Sequence, residues 1–236
     1  MSSHDSLAVF AALAAELQQE PDEVLTSRAI VTRMREFVPE ADEVSLTIRT
    51  ARGHTTLASS GSLAEEADSF QYELGEGPCV EISDSGGWLR SGDVGTDARY
   101  PRWGPKAAEL GVGSLLAVAV ADADVPLGSL NVYSSHAGAF ADRDVVDLAL
   151  VYAVHATTAL SSARRTTTLQ TAISSRHVIG MAQGIAMERY GIDQHQSFEL
   201  LRRLSSTTNV KLRDVAAQIV ETRAIPQNRT DEQADD

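Results

Sequence analysis

Hydrophobic residues along the chain first follow a helical period and then the period of strands. Helical spacing covers residues 5–20 and 22–38, which Pro21 separates. The segment EVSLTIRT then alternates apolar and polar residues, which predicts a strand with one buried face. TTLASS, after the turn at 52–54, is its predicted partner, and SLLAVAVAD and PLGSLNVYS form a predicted antiparallel hairpin with a tight connection at 122–125.

Between these two strand pairs, residues 61–112 are rich in glycine and are predicted to form a long irregular wall. A short helix, PRWGPKAAELG, ends that wall. From about Asp142 the period is helical again, without proline and without glycine before Gly180. A helix of that length needs a partner along its apolar stripe, so we expect a parallel two-chain stalk. The stripe consists of Val145, Leu148, Tyr152, His155 and Ala159.

The C-terminal part predicts three short helical segments. The first ends at Gly191, a residue type that favours the left-handed cap conformation. The second begins at Asp193, which forms a capping-box pair with Gln196, and the third begins near Asn209. Their apolar residues predict a small core that includes Phe198, Leu201, Leu204, Leu212, Val215 and Ile219. Tyr190 either caps this core, which is the favoured interpretation, or stacks on a base.

The order of elements predicts an α+β protein. A central antiparallel sheet flanked by helices is followed by a long linking helix and a C-terminal three-helix bundle. We expect an N-terminal helix at 1–22, the sheet domain at 23–160, the linking helix and bundle at 161–226, and a disordered acidic tail at 227–236.

Composition is that of a globular protein, with 43% hydrophobic and 22% charged residues. No run of about 18 uncharged apolar residues occurs, so no membrane span is expected. Cys79 is the single cysteine, which rules out an internal disulfide and a cysteine-rich zinc site and fits a reducing cytoplasm. No P-loop, GxSxG or HExxH motif occurs, and the histidines are scattered, so we expect neither an enzyme nor a metal or cofactor site.

The net charge of −13 is unevenly distributed. Residues 164–229 carry ten Arg or Lys and five Asp or Glu, a balance of +5, whereas residues 1–163 carry −14 and the last seven residues −4. An acidic body joined to a basic C-terminal part indicates an anionic partner for that part alone.

Two glycines lie on one face of the first bundle helix. His177, Gly180, Gly184, Glu188 and Gly191 share that face at 3.6 residues per turn. A glycine inside a helix costs about 1 kcal/mol relative to alanine, so the pair indicates close approach by another group. That group is either a nucleobase or a neighbouring helix, and the sequence leaves both alternatives open.

Residues 178–220 closely resemble the ANTAR domain of transcription antiterminators. The matching positions are Ala182, Gln183, Gly184, Met187, Glu188, Gly191, Ile192, Phe198, Leu201, Arg202, Ser205, Asn209, Leu212, Val215 and Ala216. Gln183 departs from the family, which often has Lys or Arg there, and Ser197 stands where alanine is common.

Residues 23–160 resemble a GAF domain, a dimeric sensor module with varied ligands. The resemblance lies in LGEGPC (74–79), PLGSLNVY (126–133) and AFADRDVVDLAL at the start of the long helix. It implies either a small-molecule pocket or a filled domain that only transmits or dimerises. The predicted pocket residues are Tyr72, Cys79, Trp88, Tyr100, Trp103 and Asn131.

Together the two resemblances imply a cytoplasmic, homodimeric regulator that binds hairpins in nascent mRNA leaders and causes antitermination. The dimer would form through the GAF domain and the long helix, with an unidentified small molecule as a candidate GAF ligand. The predicted RNA-binding residues are Arg176, Gly180, Ala182, Gln183, Gly184, Met187, Arg202, Arg203, Lys211 and Arg213. A DNA-binding regulator and a dimeric adaptor without an active RNA site are the alternatives.

Overall fold

The computed structural model of the protein describes residues 22–122 and 125–226. The predicted helix at 5–20, the centre of the 122–125 connection and the predicted tail at 227–236 lie outside the described residues. The chain divides into two compact units, residues 1–167 and 168–236.

The first unit is an antiparallel sheet with helices on both faces. Its five strands lie in the order β2-β1-β5-β4-β3, and every described strand pair is antiparallel. The α+β fold expected from the sequence is thereby confirmed. The elements are α1 (Glu23–Phe37), β1 (Glu43–Thr50), β2 (Gly53–Ser59), α2 (Ser62–Leu74), α3 (Pro78–Ser85), β3 (Trp88–Ser91), α4 (Trp103–Glu109), β4 (Ser114–Asp122), β5 (Val125–Ser134) and α5 (Arg143–Tyr190).

Two hydrophobic clusters lie on opposite faces of this sheet. On one face, Leu46 of β1 and Leu130 of β5 pack with Ile30 of α1 and Tyr152 of α5. On the other face, Trp103 of α4 packs in a cluster that includes Leu115, Tyr133, Ala64 and Ala67. Alternation along β1 and β5 explains the division, because successive side chains of a strand point to opposite faces.

The prediction of an irregular wall at 61–112 is wrong, because this segment contains α2, α3, β3 and α4. Its glycines mainly begin and end these elements. Gly75 has φ 59° and ends α2, while Gly77 precedes Pro78 at the first turn of α3. A glycine-rich sequence was therefore compatible with short, closely capped helices.

The polar side of β1 is buried rather than exposed. Ser45 and Thr47 are fully inaccessible, as are Ser129 and Asn131 on the neighbouring strand β5. The register pairs Ser45 with Asn131 and Thr47 with Ser129. Helices α2 and α3 cover this face, so β1 carries a buried polar surface instead of a solvated one.

The stripe predicted to pair two chains instead packs within this unit. Tyr152 and Ala159 of α5 belong to the main core cluster, and the Tyr152 hydroxyl donates to the Ile30 carbonyl at 2.8 Å. By length and composition alone α5 could cross a membrane, but buried core helices of globular proteins pass the same test. The stripe residues that reach the core are thus covered by the sheet and α1.

The second unit contains the end of α5 together with α6 (Gln194–Thr208) and α7 (Leu212–Thr222). The predicted capping box of Asp193 and Gln196 is confirmed, and Gly191 has the expected positive φ of 61°. Asn209 does not begin the third helix but ends α6, with φ 54°. Alanines 182 and 186 pack against Leu201, Ala216 and Ile219 to form the core.

Gly104 is a position where only glycine fits the first unit. A Cβ atom there would overlap the carbonyl oxygen of Val94, whereas a Cβ atom at Gly92 would meet no atom within 4 Å. We expect Gly104→Ala to lower the free energy of unfolding by about 1–3 kcal/mol through overpacking. Gly92→Ala should change it by less than about 0.5 kcal/mol. Urea unfolding measures both, and equal stabilities would contradict the packing at Gly104.

Candidate nucleic-acid interface and buried polar network

A buried carboxylate organises the polar face of the sheet. Asp68 of α2 is fully inaccessible and accepts hydrogen bonds from Tyr133 Oη at 2.5 Å, Thr56 Oγ1 at 2.9 Å and Asn131 Nδ2 at 3.2 Å. Tyr72 Oη shares a hydrogen bond with the Thr56 hydroxyl at 2.9 Å. One carboxylate therefore connects α2 to strands β2 and β5.

The network continues towards α3 through Gln71. Gln71 Nε2 donates to Tyr133 Oη at 3.1 Å, and Gln71 Oε1 accepts from the Cys79 backbone N–H at 2.8 Å. Burial raises the pKa of the Asp68 carboxyl, although its hydrogen bonds oppose that shift. Burial, followed by the nearby Asp68 charge, also raises the pKa of the Cys79 thiol, which suppresses the reactive thiolate.

The structure separates the predicted pocket residues into three places. Tyr72, Cys79 and Asn131 lie in or beside the Asp68 network. Tyr100 and Trp103 pack edge to face in the second core cluster, and Trp103 Nε1 donates to the Ala67 carbonyl. None of these five lines either of the two surface depressions described below for this unit.

Trp88 lies apart from this group: it is 38% exposed, and the Arg143 guanidinium sits over its ring. The ring is exposed because β3 is an edge strand, and the role of Trp88 in a ligand pocket stays a prediction. Two surface depressions of this unit lie elsewhere. One, of about 500 Å³, adjoins α1 and the end of β2, and the other, of about 590 Å³, lies between β4 and α5.

Sequence reasoning missed Asp68, Thr47, Thr56, Gln71 and Tyr133. Asp68 stands in a helix of mixed polarity, SLAEEADSFQYEL, where a carboxylate ordinarily indicates a solvated face. The available signal was the run of small polar residues on alternate positions of β1. These residues become informative only once α2 is known to cover them.

In the second unit the glycine face is open. Gly180 and Gly184 are both exposed, and a Cβ atom built on either would meet no atom within 4 Å. Within the described part of the chain no helix packs on them. Arg176 and Met187 are exposed and share this face of α5, whose opposite face carries Ala182 and Ala186 into the core.

Ala182 is therefore not part of the open face. It is fully buried, so its predicted RNA contact is corrected to a packing role that lets the three helices approach closely. Two residues that were expected in the core are instead partly exposed. Tyr190 is 49% exposed and Phe198 is 39% exposed, because small residues fill the core that these rings were expected to fill.

A depression of about 540 Å³ adjoins the glycine face. Gln183 of α5 lines it on one side, and the beginning of α6 lines it on the other. Gln183 Nε2 donates to the Gln194 carbonyl at 3.1 Å and to Ser197 Oγ at 3.3 Å. The lining residues are Gln183, Asp193, Gln194, His195 and Phe198.

The basic residues predicted for this interface are exposed but lie on different helices. Arg202 pairs with Glu199 at 2.8 Å and Arg213 with Asp214 at 3.1 Å. Arg203 lies on α6, and Lys211 is the residue that precedes α7. The described contacts therefore give the unit a basic surface without drawing these cations onto the glycine face.

The fold of the first unit is shared with GAF domains of known structure. One is the GAF domain of a phosphoenolpyruvate-protein phosphotransferase from Coxiella burnetii, at TM-score 0.55 and 18% identity, covering 71% of this chain and 99% of that one. A bacteriophytochrome from R. palustris matches at TM-score 0.58 and 10% identity over 78% of this chain and 42% of that one. A free methionine-R-sulfoxide reductase from Neisseria meningitidis matches at TM-score 0.54 and 16% identity, covering 68% and 90%.

Residues 19–161 match the GAF domain family and residues 167–220 the ANTAR domain family. Together these two domains define a class of regulator that joins a sensory domain to an RNA-binding antitermination domain. The chain belongs to the GAF domain family and carries an ANTAR domain after it, as the sequence motifs predicted. No curated protein matches the chain.

The buried Asp68 carboxyl should make stability depend on pH in a particular direction. Its pKa is higher in the folded protein, so the stabilising contribution is present below the unfolded value of 3.8 and is lost as pH rises through the folded pKa. Asp68→Asn removes this pH-dependent contribution to stability but keeps a hydrogen-bond acceptor, the side-chain amide oxygen. We expect the free energy of unfolding of the variant, relative to wild type, to be higher at pH 8 than at pH 4.

Urea unfolding at both pH values measures this difference. Comparison with wild type at each pH cancels the carboxyls with lowered pKa, such as Asp97, whose pKa is about 2. A difference between the two proteins that did not vary with pH would show that Asp68 is ionised throughout this range.

Proposed function

We propose that the chain is a signal-responsive regulator whose ANTAR domain binds hairpins in nascent mRNA leaders and so prevents transcription termination. The GAF domain senses a signal, holds two chains together, or does both. The observation that carries the proposal is the open glycine face on α5.

Two glycines in the middle of a helix each cost about 1 kcal/mol relative to alanine. Close packing by a neighbouring helix of the same chain would explain them, but no described residue approaches either position. A smooth exposed face lets a flat nucleobase or a sugar-phosphate backbone lie directly against the helix. Sequence-specific RNA recognition mainly uses such splayed loop nucleotides.

The surrounding charges support a polyanionic partner. Arg176 lies on the glycine face itself, and Arg203 and Lys211 are exposed elsewhere on the unit. Arginine and lysine that contact phosphate supply most of the sequence-independent affinity for nucleic acid. The proposed RNA-binding residues are Arg176, Gly180, Gln183, Gly184, Met187, Arg202, Arg203, Lys211 and Arg213.

A homodimer is the form we propose for the regulator. Ile173 is 68% exposed and Leu169 64% exposed on the same side of α5, and Val151 and Val154 are exposed nearer its beginning. Apolar side chains spaced along a long helix are suited to pairing with a second copy. Two chains would present two ANTAR domains to a pair of hairpins.

A regulatory role is also favoured over a reductase activity like that of the Neisseria protein. Reduction through a disulfide needs a reactive thiolate and a second thiol. This chain has one cysteine, which is buried and has a raised pKa. A single thiol kept in its reduced form agrees with a cytoplasmic location, which is part of the proposal.

Gly184→Leu tests the glycine face without disturbing the fold. A side chain at this position enters open space, so the free energy of unfolding should stay the same or rise by up to about 1 kcal/mol. We expect hairpin affinity to fall at least tenfold, because the leucine holds the nucleotide away from the helix. The measurement is a titration of the full chain with a hairpin selected from a pool of randomised loops.

Ala217→Leu is the matched control, because Ala217 is exposed on α7 and lies outside the proposed interface. It should leave affinity unchanged. Unaltered binding by Gly184→Leu would favour an adaptor without an active RNA site. Tighter binding to a DNA duplex of the stem sequence, at several salt concentrations, would favour a DNA-binding regulator.

A further inference from the structure

The depression beside the glycine face combines an exposed aromatic ring with hydrogen-bond acceptors. Phe198 is 39% exposed there, although a phenyl ring on a small helical unit would ordinarily be covered. The ring lies on α6 and Gln183 faces it from α5, so two helices form the walls. The volume of about 540 Å³ lies within the range of small-ligand sites, about 300–1,000 Å³.

The orientation of the Gln183 amide is fixed by its neighbours. Its Nε2 group has two protons, and both are used, on the Gln194 carbonyl and on Ser197 Oγ. Ser197 is itself fully buried, which anchors the arrangement. Gln183 therefore offers Oε1, an acceptor, to an incoming group, and has no proton left for a phosphate oxygen.

The charges in the depression also disfavour phosphate. Asp193 contributes a carboxylate, one oxygen of which caps α6 by accepting from the Gln196 N–H at 2.8 Å. No lysine or arginine lines the depression, and its N–H donors besides Gln183 are on Gln194 and His195. An anionic group would meet a carboxylate, whereas a neutral ring that carries an amino group would meet an aromatic face and two acceptors.

We propose that this depression is a base-binding subsite that takes one unstacked loop nucleotide and selects adenine, cytosine or guanine over uracil. The base stacks on Phe198, and its exocyclic amino group donates to Gln183 Oε1 or to the Asp193 carboxylate. Uracil has no exocyclic amino group, and its one donor on that edge, N3–H, lies between two carbonyl oxygens that the acceptors of the depression would repel. The inference rests on the proposed function, because it needs a hairpin loop to reach the glycine face beside it.

The probe is one RNA hairpin, selected by the full-length wild-type chain from a pool with a fixed stem and a randomised loop. Each loop nucleotide is replaced singly by an abasic residue to find the positions that contribute to affinity. Phe198→Leu keeps an apolar side chain but removes the stacking surface. It should weaken binding about 5- to 100-fold, the range expected for one base stacked on one aromatic ring.

Phe198→Trp keeps a stacking surface and should bind within about threefold of wild type. Met181→Ala is the matched control, since Met181 is exposed to the same degree as Phe198 but lies outside the depression. It should leave affinity unchanged. At one loop position the abasic replacement should weaken binding to wild type but not to Phe198→Leu. The two changes would remove the same stacking contact, so their effects on the binding free energy are not additive.

A separate measurement tests the proposed contact with the exocyclic amino group of the base. At that loop position wild type should bind the adenine, cytosine and guanine hairpins at least fivefold tighter than the uracil hairpin. Gln183→Met keeps the length of the side chain and removes the acceptor, so this preference should fall while Phe198 still stacks. A purely structural effect of Gln183→Met would weaken all four hairpins equally.

Three results would overturn the subsite. They are wild-type affinity of Phe198→Leu, additive abasic penalties at every loop position, and a wild-type preference for uracil at the position that depends on Phe198. Failure of the wild-type chain to select any hairpin is a different outcome. It would overturn the proposed function, and the subsite with it.

Discussion

In each compact unit the fold depends on which side chains of α5 are buried. In the sheet domain α5 inserts Tyr152 and Leu160 into the core, and in the second unit it inserts Ala182 and Ala186, which lie on a different face of the helix, into the three-helix core. The small alanine side chains let α6 and α7 approach α5 closely. Because packing fixes which face of α5 is buried in the second unit, the opposite face is left exposed to solvent. Gly180 and Gly184 are exposed for that reason, and their open surface follows from the alanines behind them.

The burial of Asp68 is a second, independent constraint on the structure of the sheet domain. An isolated carboxylate in a protein interior is strongly unfavourable, so the surrounding donors are a condition of folding. Tyr133 and Asn131 supply them from β5 and Thr56 from β2, and Gln71 extends the same network to the backbone of α3. A polar network of this extent fixes the relative positions of α2, α3 and the sheet. A signal that altered any member would change several elements together, which is a suitable property for a sensory domain.

Local sequence patterns correctly predicted the elements that depend on interactions between neighbouring residues. The strands, the Asp193 capping box and the Gly191 cap follow from alternation, side-chain hydrogen bonding and backbone freedom at single positions. The errors arose where tertiary contacts decide. Gly75, Gly77 and Gly86 begin or end helices that the sequence alone did not distinguish from loops. Phe198 was expected in the core because it falls on an apolar stripe, but the alanines leave no room for its ring. Asp68 gave no sequence signal, because its burial depends on strands distant along the chain.

In the proposed complex with RNA, charge and shape contribute to recognition in different ways. Residues 1–163 carry −14, so the bulk of the protein repels RNA, although screening limits that repulsion to about 10 Å at 0.1 M salt. Only the C-terminal part, at +5 over residues 164–229, attracts phosphate, and several of its cations are already paired with neighbouring carboxylates. Net attraction is therefore modest, and affinity must come largely from contacts that work at short range. In the proposal the exposed glycine face and the exposed Phe198 ring provide such contacts, since a base can lie flat against either of them. The replacement of a basic residue by Gln183 fits the same division, because it exchanges long-range attraction for a directed acceptor.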